Sequence, residues 1–160
     1  MTNRFPPKQM LVPVDVDPMA DRALANRLVE DASALARALD ARITVVHIAS
    51  PSIEPLVATA EPAGYRAMCD VLAARNAHCG RILKEIEAQV RESGIPVAVQ
   101  LVTANGSAPD LILEAARDCD ADMIVMTTHG RRGLARLFLG SVAERTAHLS
   151  HVPVLLLPPR

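Results

Sequence analysis

The sequence predicts an α/β domain: an open, parallel, five-stranded sheet with helices on both faces. Two observations carry this expectation. Short apolar or β-branched runs alternate with longer stretches of helical period along the 160 residues, with no internal repeat and no linker. Half of the residues are hydrophobic yet only 2% are aromatic, so the core must be built from Leu, Val, Ile, Ala and Met. That composition suits helices packed on a sheet buried from both sides. The length fits one domain, taken as residues 1–160.

The elements follow in order. Met10–Asp15 (MLVPVD) is a short apolar run that ends in an acid. Ala20–Leu39 carries Leu24, Leu28, Ala32, Leu35 and Leu39 at spacings of three and four, one face of an amphipathic helix. Asp17-Pro18 reads as the start of that helix. Arg42–Ile48 (RITVVHI) is strand-like. Ala49–Gly64 holds Pro51, Pro55 and Pro62 without a period, which predicts a loop or lid. A long helix is expected from Tyr65 to Glu92, with Met68, Leu72, Cys79, Leu83, Ile86 and Val90 inward, stopped by Gly94 and Pro96.

Val97–Val102 (VAVQLV) is the third strand. Asn105-Gly106 makes a turn, and Ser107 is placed to cap a helix that runs to Cys119, with Asp110 near its positive end. Asp122–Met126 is the fourth strand, Thr127–Gly140 a glycine-bearing loop, Ser141–Ser150 the last helix and Val152–Leu157 the fifth strand. Ligands of such Rossmann-like sheets sit beyond the carboxyl ends of the strands, where the strand order reverses. Chemistry is therefore expected near Asp15, Ile48 and Thr127.

Composition narrows the function classes. Seventeen basic and 18 acidic residues leave a net charge of −1, no electrostatic footprint for nucleic acid or an anionic membrane. The apolar runs fall short of the ~20 residues that span a bilayer, and MTNRFPPK has no apolar signal region, so a cytoplasmic protein is expected. Cys69, Cys79 and Cys119 form no CxxC pair and read as reduced, buried small hydrophobes. His78, His148 and His151 have no metal-ligand partners at useful spacing, and no metal site is expected. His47, within an apolar strand, reads as a hydrogen-bonded core histidine, and His129 as a residue that orients its loop.

The informative stretch is Thr127–Ser141 (TTHGRRGLARLFLGS). Gly130, Gly133 and Gly140 allow close backbone approach or positive φ. Gly140-Ser141 opens a helix whose free N–H groups favour an anion, and Arg131 and Arg132 add charge. These make a phosphate cradle. The competing reading is a capping box, Ser141-Val142-Ala143-Glu144, in which Ser141 only caps its own helix. Asp15 has two readings as well, a ligand contact or a cap on the following turn.

The loop resembles the nucleotide-binding signature of the universal stress protein family, G-x2-G-x9-G-S/T. Gly130, nine intervening residues, Gly140 and Ser141 are in register, and Thr127 stands where the first glycine would be. MLVPVD, VVHI and the closing VPVLLLP resemble the family's first, second and last strands, so the likeness covers almost the whole chain. The resemblance is to the subgroup that keeps the signature, and it implies ATP, with Mg²⁺, as ligand. Asp15, with Pro13 and Val14 beside it, would approach the ribose. Ile48 would lie against the adenine. Met126, Thr127, Gly130 and Arg131 would approach the ribose and phosphates. Gly140, Ser141 and Val142 would hold the phosphates. At Thr127 a positive φ would be costly for a β-branched residue. A glycine that served only clearance would leave Thr127 narrowing the site or adding a hydroxyl.

The resemblance also implies a homodimer through the last strand, which should lie at a sheet edge. The implied function is a regulatory nucleotide-binding module of the stress response. The alternatives are a nucleotide-free dimeric scaffold and a slow ATPase. The sequence shows no GxSxG elbow and no Walker loop.

Overall fold

The computed structural model describes residues 6–49, 62–128 and 140–158. The elements are β1 (Gln9–Pro13), α1 (Arg22–Leu39), β2 (Arg42–Ile48), α2 (Pro62–Glu92), β3 (Val97–Val102), α3 (Ala108–Asp118), β4 (Met123–Thr127), α4 (Ser141–Leu149) and β5 (Val154–Leu157). The five strands form one sheet in the order β3-β2-β1-β4-β5, and every pairing is parallel. The expected fold class is thus the observed one.

Alternation along the strands sends successive side chains to opposite faces. Met10, Val12, Ile43, Val45 and Val125 meet α1 and α2 in one core, where Leu28, Val29, Leu83, Ile86 and Val90 are buried. Leu11, Val46, Ile124 and Met126 meet α3 and α4 in the other, against Ile112, Ala116 and Ala143. β1 (Met10, Leu11, Val12) and β4 (Ile124, Val125, Met126) therefore present apolar side chains to both cores.

Local chemistry explains the boundaries. α1 starts at Arg22 because Asp21 caps it: its carboxylate accepts from the N–H of Ala23 at 2.9 Å and of Leu24 at 3.3 Å. Asp17-Pro18 does not start this helix. Asp17 instead sits in the preceding turn, where its carboxylate accepts from the Met19 N–H at 3.2 Å. The buried stripe of α1 runs through Ala25, Leu28, Val29, Ala32 and Ala36, so Leu24, Leu35 and Leu39 lie on its half-buried flank. α2 ends at Gly94, whose φ of 77° suits glycine. α3 is capped as expected, Ser107 accepting from the Asp110 N–H at 3.4 Å.

Two expectations need correction. Met68 and Leu72 are only half-buried, and the wholly buried face of α2 begins at Cys79. A 31-residue helix is about 46 Å long, whereas the seven residues of β2 span about 23 Å. The helix overhangs the sheet, and its first turns have no strand to cover. For the same reason Cys69 is exposed while Cys79 is buried; Cys119, at the end of α3, is half-buried.

Candidate functional site

The reversal of strand order falls between β1 and β4. Their ladder pairs Met10 with Met123 and Leu11 with Ile124, at the amino ends of both strands, and goes no further. Beyond that point each strand follows its outer neighbour. β1 stays with β2 through Pro13 opposite Val46, and the Val14 N–H donates to the Val46 carbonyl at 2.8 Å. β4 stays with β5 to its last residue, Thr127 opposite Leu157. The parting strands open a crevice at their carboxyl ends, where sheets of this kind take ligands.

Pro13, Val14 and Asp15 line one side of this crevice and Thr127 the other, with Ala20 and, in α1, Leu24 closing the flank. Four of the residues singled out in the sequence are thereby brought together. Asp15 lies just past the β1 ladder and is half-buried. One of its carboxylate oxygens accepts from the Asp17 N–H at 3.2 Å, so the turn-capping role is present in the structure. Ile48 ends β2, half-buried opposite Val102, on the far side of β1 from β4. The Met126 side chain is buried in the α3–α4 core, which leaves only its backbone for a crevice contact.

Thr127 has no positive φ; among the described non-glycine residues only Asp40 and Asp120 do. An extended backbone at the end of β4 accepts a β-branched residue without strain. The costly positive φ therefore does not arise at this position. Gly140 is similar. Its φ of −62° and ψ of 143° are open to any residue, so glycine is not there for conformation.

Gly140 is anchored beside the crevice. Its N–H donates to the Thr128 carbonyl at 2.7 Å, and the Thr128 N–H donates to the Leu157 carbonyl at 3.0 Å. The capping box is not formed. Gly140, not Ser141, is the N-cap of α4, because the Gly140 carbonyl already accepts from the Glu144 N–H at 2.9 Å. Ser141 is the first helical residue and is exposed, and among the described residues no side chain caps this helix. Val142 is exposed beside it. Gly130 and Arg131, with His129, Arg132 and Gly133, lie outside the described residues, as does most of the loop read as a lid.

Sequence reasoning missed the support beneath Asp15. Asp17 is buried, and its carboxylate pairs with Arg75 Nε of α2 at 2.5 Å. His47 Nδ1 lies 3.0 Å from the Val14 carbonyl, which makes it a hydrogen-bonded core histidine as expected. Burial holds the His47 pKa below its ordinary value; the Val14 carbonyl and the charges of Asp15 and Asp17 oppose that shift only in part. An Asp at a turn and an Arg 58 residues away carry no mutual signal in the sequence.

A doubly wound parallel sheet with a crevice at its switch point, beside the N-terminus of α4, defines a Rossmann-like α/β domain. Residues 7–158 match the model of the Universal stress protein family, and the chain belongs to that family. It is 31% identical over 148 residues to Universal stress protein A homolog 2 of Coxiella burnetii, covering 92% of both chains. Its fold is similar to that of the universal stress protein UspA from Lactobacillus plantarum, with a TM-score of 0.74, 20% identity and coverage of 94% of this chain and 97% of that one. It is also similar to a universal stress protein family protein from Arabidopsis thaliana with AMP bound, with a TM-score of 0.64, 20% identity and coverage of 96% and 93%. No helix among the described residues is long and apolar enough to cross a membrane.

Proposed function

We propose that this protein is a regulatory module of the stress response that binds an adenine nucleotide, ATP with Mg²⁺, in the crevice between β1 and β4. The observation that carries the reading is the pairing of that crevice with a helix N-terminus whose N–H groups no side chain among the described residues caps. Asp15 would accept from the ribose hydroxyls, as carboxylates do. Ile48 would lie against the adenine. Thr127, Gly130 and the backbone of Met126 would line the ribose and phosphates, and Arg131 would add positive charge. The phosphates would sit on the N–H groups of Ser141 and Val142, where the helix dipole favours an anion, with the Ser141 hydroxyl as a further donor. Among the described residues no group of His, Cys, Asp or Glu could hold a metal ion, so Mg²⁺ would arrive on the triphosphate.

The relative with AMP bound supports the ligand class. The module would act as a homodimer through β5, which lies at the edge of the sheet with all four residues half-buried. Calorimetric titration tests the reading. The wild-type protein should bind ATP with Mg²⁺, and AMP more weakly, with GMP as the control. Heat-silent titrations with all three at millimolar concentration would overturn it.

A further inference from the structure

The turn after β1, residues 14–17, is held by β2 and α2 at several polar atoms. The Val14 carbonyl and the Val16 N–H both lie against His47 Nδ1 of β2, at 3.0 and 3.4 Å. The Val16 carbonyl accepts from the Cys79 thiol of α2 at 3.6 Å. The Asp17 N–H donates to Asp15, and the Asp17 carboxylate pairs with Arg75 Nε. Arg75 and Cys79 are four apart, so they lie one turn from each other on one face of α2. This helix therefore grips the turn at two points, the carbonyl of the Val16–Asp17 peptide and the Asp17 side chain.

The nature of the pair argues for positioning rather than bulk stability. The Asp17 side chain is 7% exposed and that of Arg75 26%. Desolvating two such charges offsets most of their attraction, and apolar residues of similar size often do as well. What an ion pair supplies and apolar contact does not is direction: the carboxylate has to meet the Nε–H along a hydrogen-bond axis. With its side chain fixed, Asp17 fixes its own N–H, and that N–H holds the Asp15 carboxylate.

We propose that Arg75 is a positioning residue for the nucleotide site, acting through Asp17 to orient the Asp15 carboxylate toward the ribose. The inference rests on the nucleotide reading above and extends it to a helix that does not line the crevice. Its mark is a loss of ribose recognition in particular. AMP and its 2′,3′-dideoxy analogue should bind the wild-type protein with affinities at least tenfold apart. Asp15→Asn defines the ratio when the ribose contact is gone. Arg75→Gln and Asp17→Asn should each move the ratio toward that value, and the double variant should go no further than either single one, since both break the same link. Arg75→Lys keeps the charge and should recover part of the discrimination. Circular dichroism and melting identify the variants that fold.

A second measurement needs no variant. In the wild-type protein the Arg75 Nε–H resonance should be protected from exchange and should shift on saturation with AMP. A wild-type protein that binds no AMP overturns the nucleotide reading and this inference together. A wild type that binds AMP, while folded Arg75→Gln keeps the wild-type ratio, overturns the inference alone. An Arg75 Nε–H signal unmoved at saturation does the same where the variants do not fold.

Discussion

Gly140 offers a perturbation that should separate the site from the fold. Its backbone, at φ −62° and ψ 143°, is comfortable for alanine and valine alike. Two terms set the stability change for Gly140→Ala. Alanine is the poorer N-cap, which costs about 0.5–1 kcal/mol. It also restricts the unfolded chain, which returns about 0.4–1 kcal/mol. The difference is close to zero, and for a domain of this size Tm should move by less than about 2 °C. Binding should respond differently. The Gly140 N–H is tied to Thr128 at 2.7 Å, so the residue cannot swing away to make room for a phosphate. A methyl group added there should weaken nucleotide binding at least tenfold, about 1.4 kcal/mol, and Gly140→Val should weaken it more. The assay pairs calorimetric titration with a thermal melt on the same samples. Undiminished affinity in Gly140→Val, with a wild-type protein that binds, would refute the clearance argument. A Tm lowered by 6 °C or more in Gly140→Ala would show that the glycine serves the fold.

Four further outcomes follow from the geometry. Asp21→Ala removes the cap from α1 and should cost about 1 kcal/mol, read from urea denaturation. Stability should fall as pH drops from about 6.5, the ordinary value for a histidine such as His47: with a folded pKa held below the unfolded one, the unfolded chain takes up the proton first, and the loss levels off below the folded pKa. His47→Gln should flatten that slope, and an unchanged slope assigns it to other groups. Cys69 should react with a thiol reagent at once and Cys79 only on unfolding, because Cys79 is fully buried and burial raises its thiol pKa; rapid titration of all three would contradict the packing. Val154→Asp puts a charge into the half-buried edge strand β5, and light scattering should show the dimer give way to monomer or aggregate; a wild-type mass near the 17.1 kDa of one chain would end the dimer reading.

β2 and β3 could be read from the sequence residue for residue, because β-branched runs bounded by turn residues leave little choice of register. Helix ends were less legible. Asp17-Pro18 reads as a helix start, but Asp21 is the cap, and Asp17, paired with Arg75 of a distant helix, serves the turn. Ser141 looked like a cap because Glu144 follows three residues later, but the hydrogen-bond ladder starts one residue earlier, at Gly140. The α2 pattern continued past the point where the sheet ends, since periodicity records an amphipathic helix and not the length of what covers it. In the site, Pro13, Val14, Asp15 and Thr127 converge because strand order alone brings them together. The link from α2 to Asp15 joins residues far apart in the chain and left no local trace.

Synthesis leaves β1 half-paired for most of the chain's length. β1, β2 and β3 emerge as one block, already neighbours in the finished sheet. The other side of β1 must wait for β4, and Gln9 meets Asp122 across 113 residues. At ribosomal rates of roughly 5–20 residues per second, that wait lasts on the order of 6–20 s. Throughout it, a strand whose Met10, Leu11 and Val12 are destined for complete burial presents a bare row of N–H and C=O groups to the cell. A nascent chain stalled before β4 would carry half a crevice and one open edge of β1.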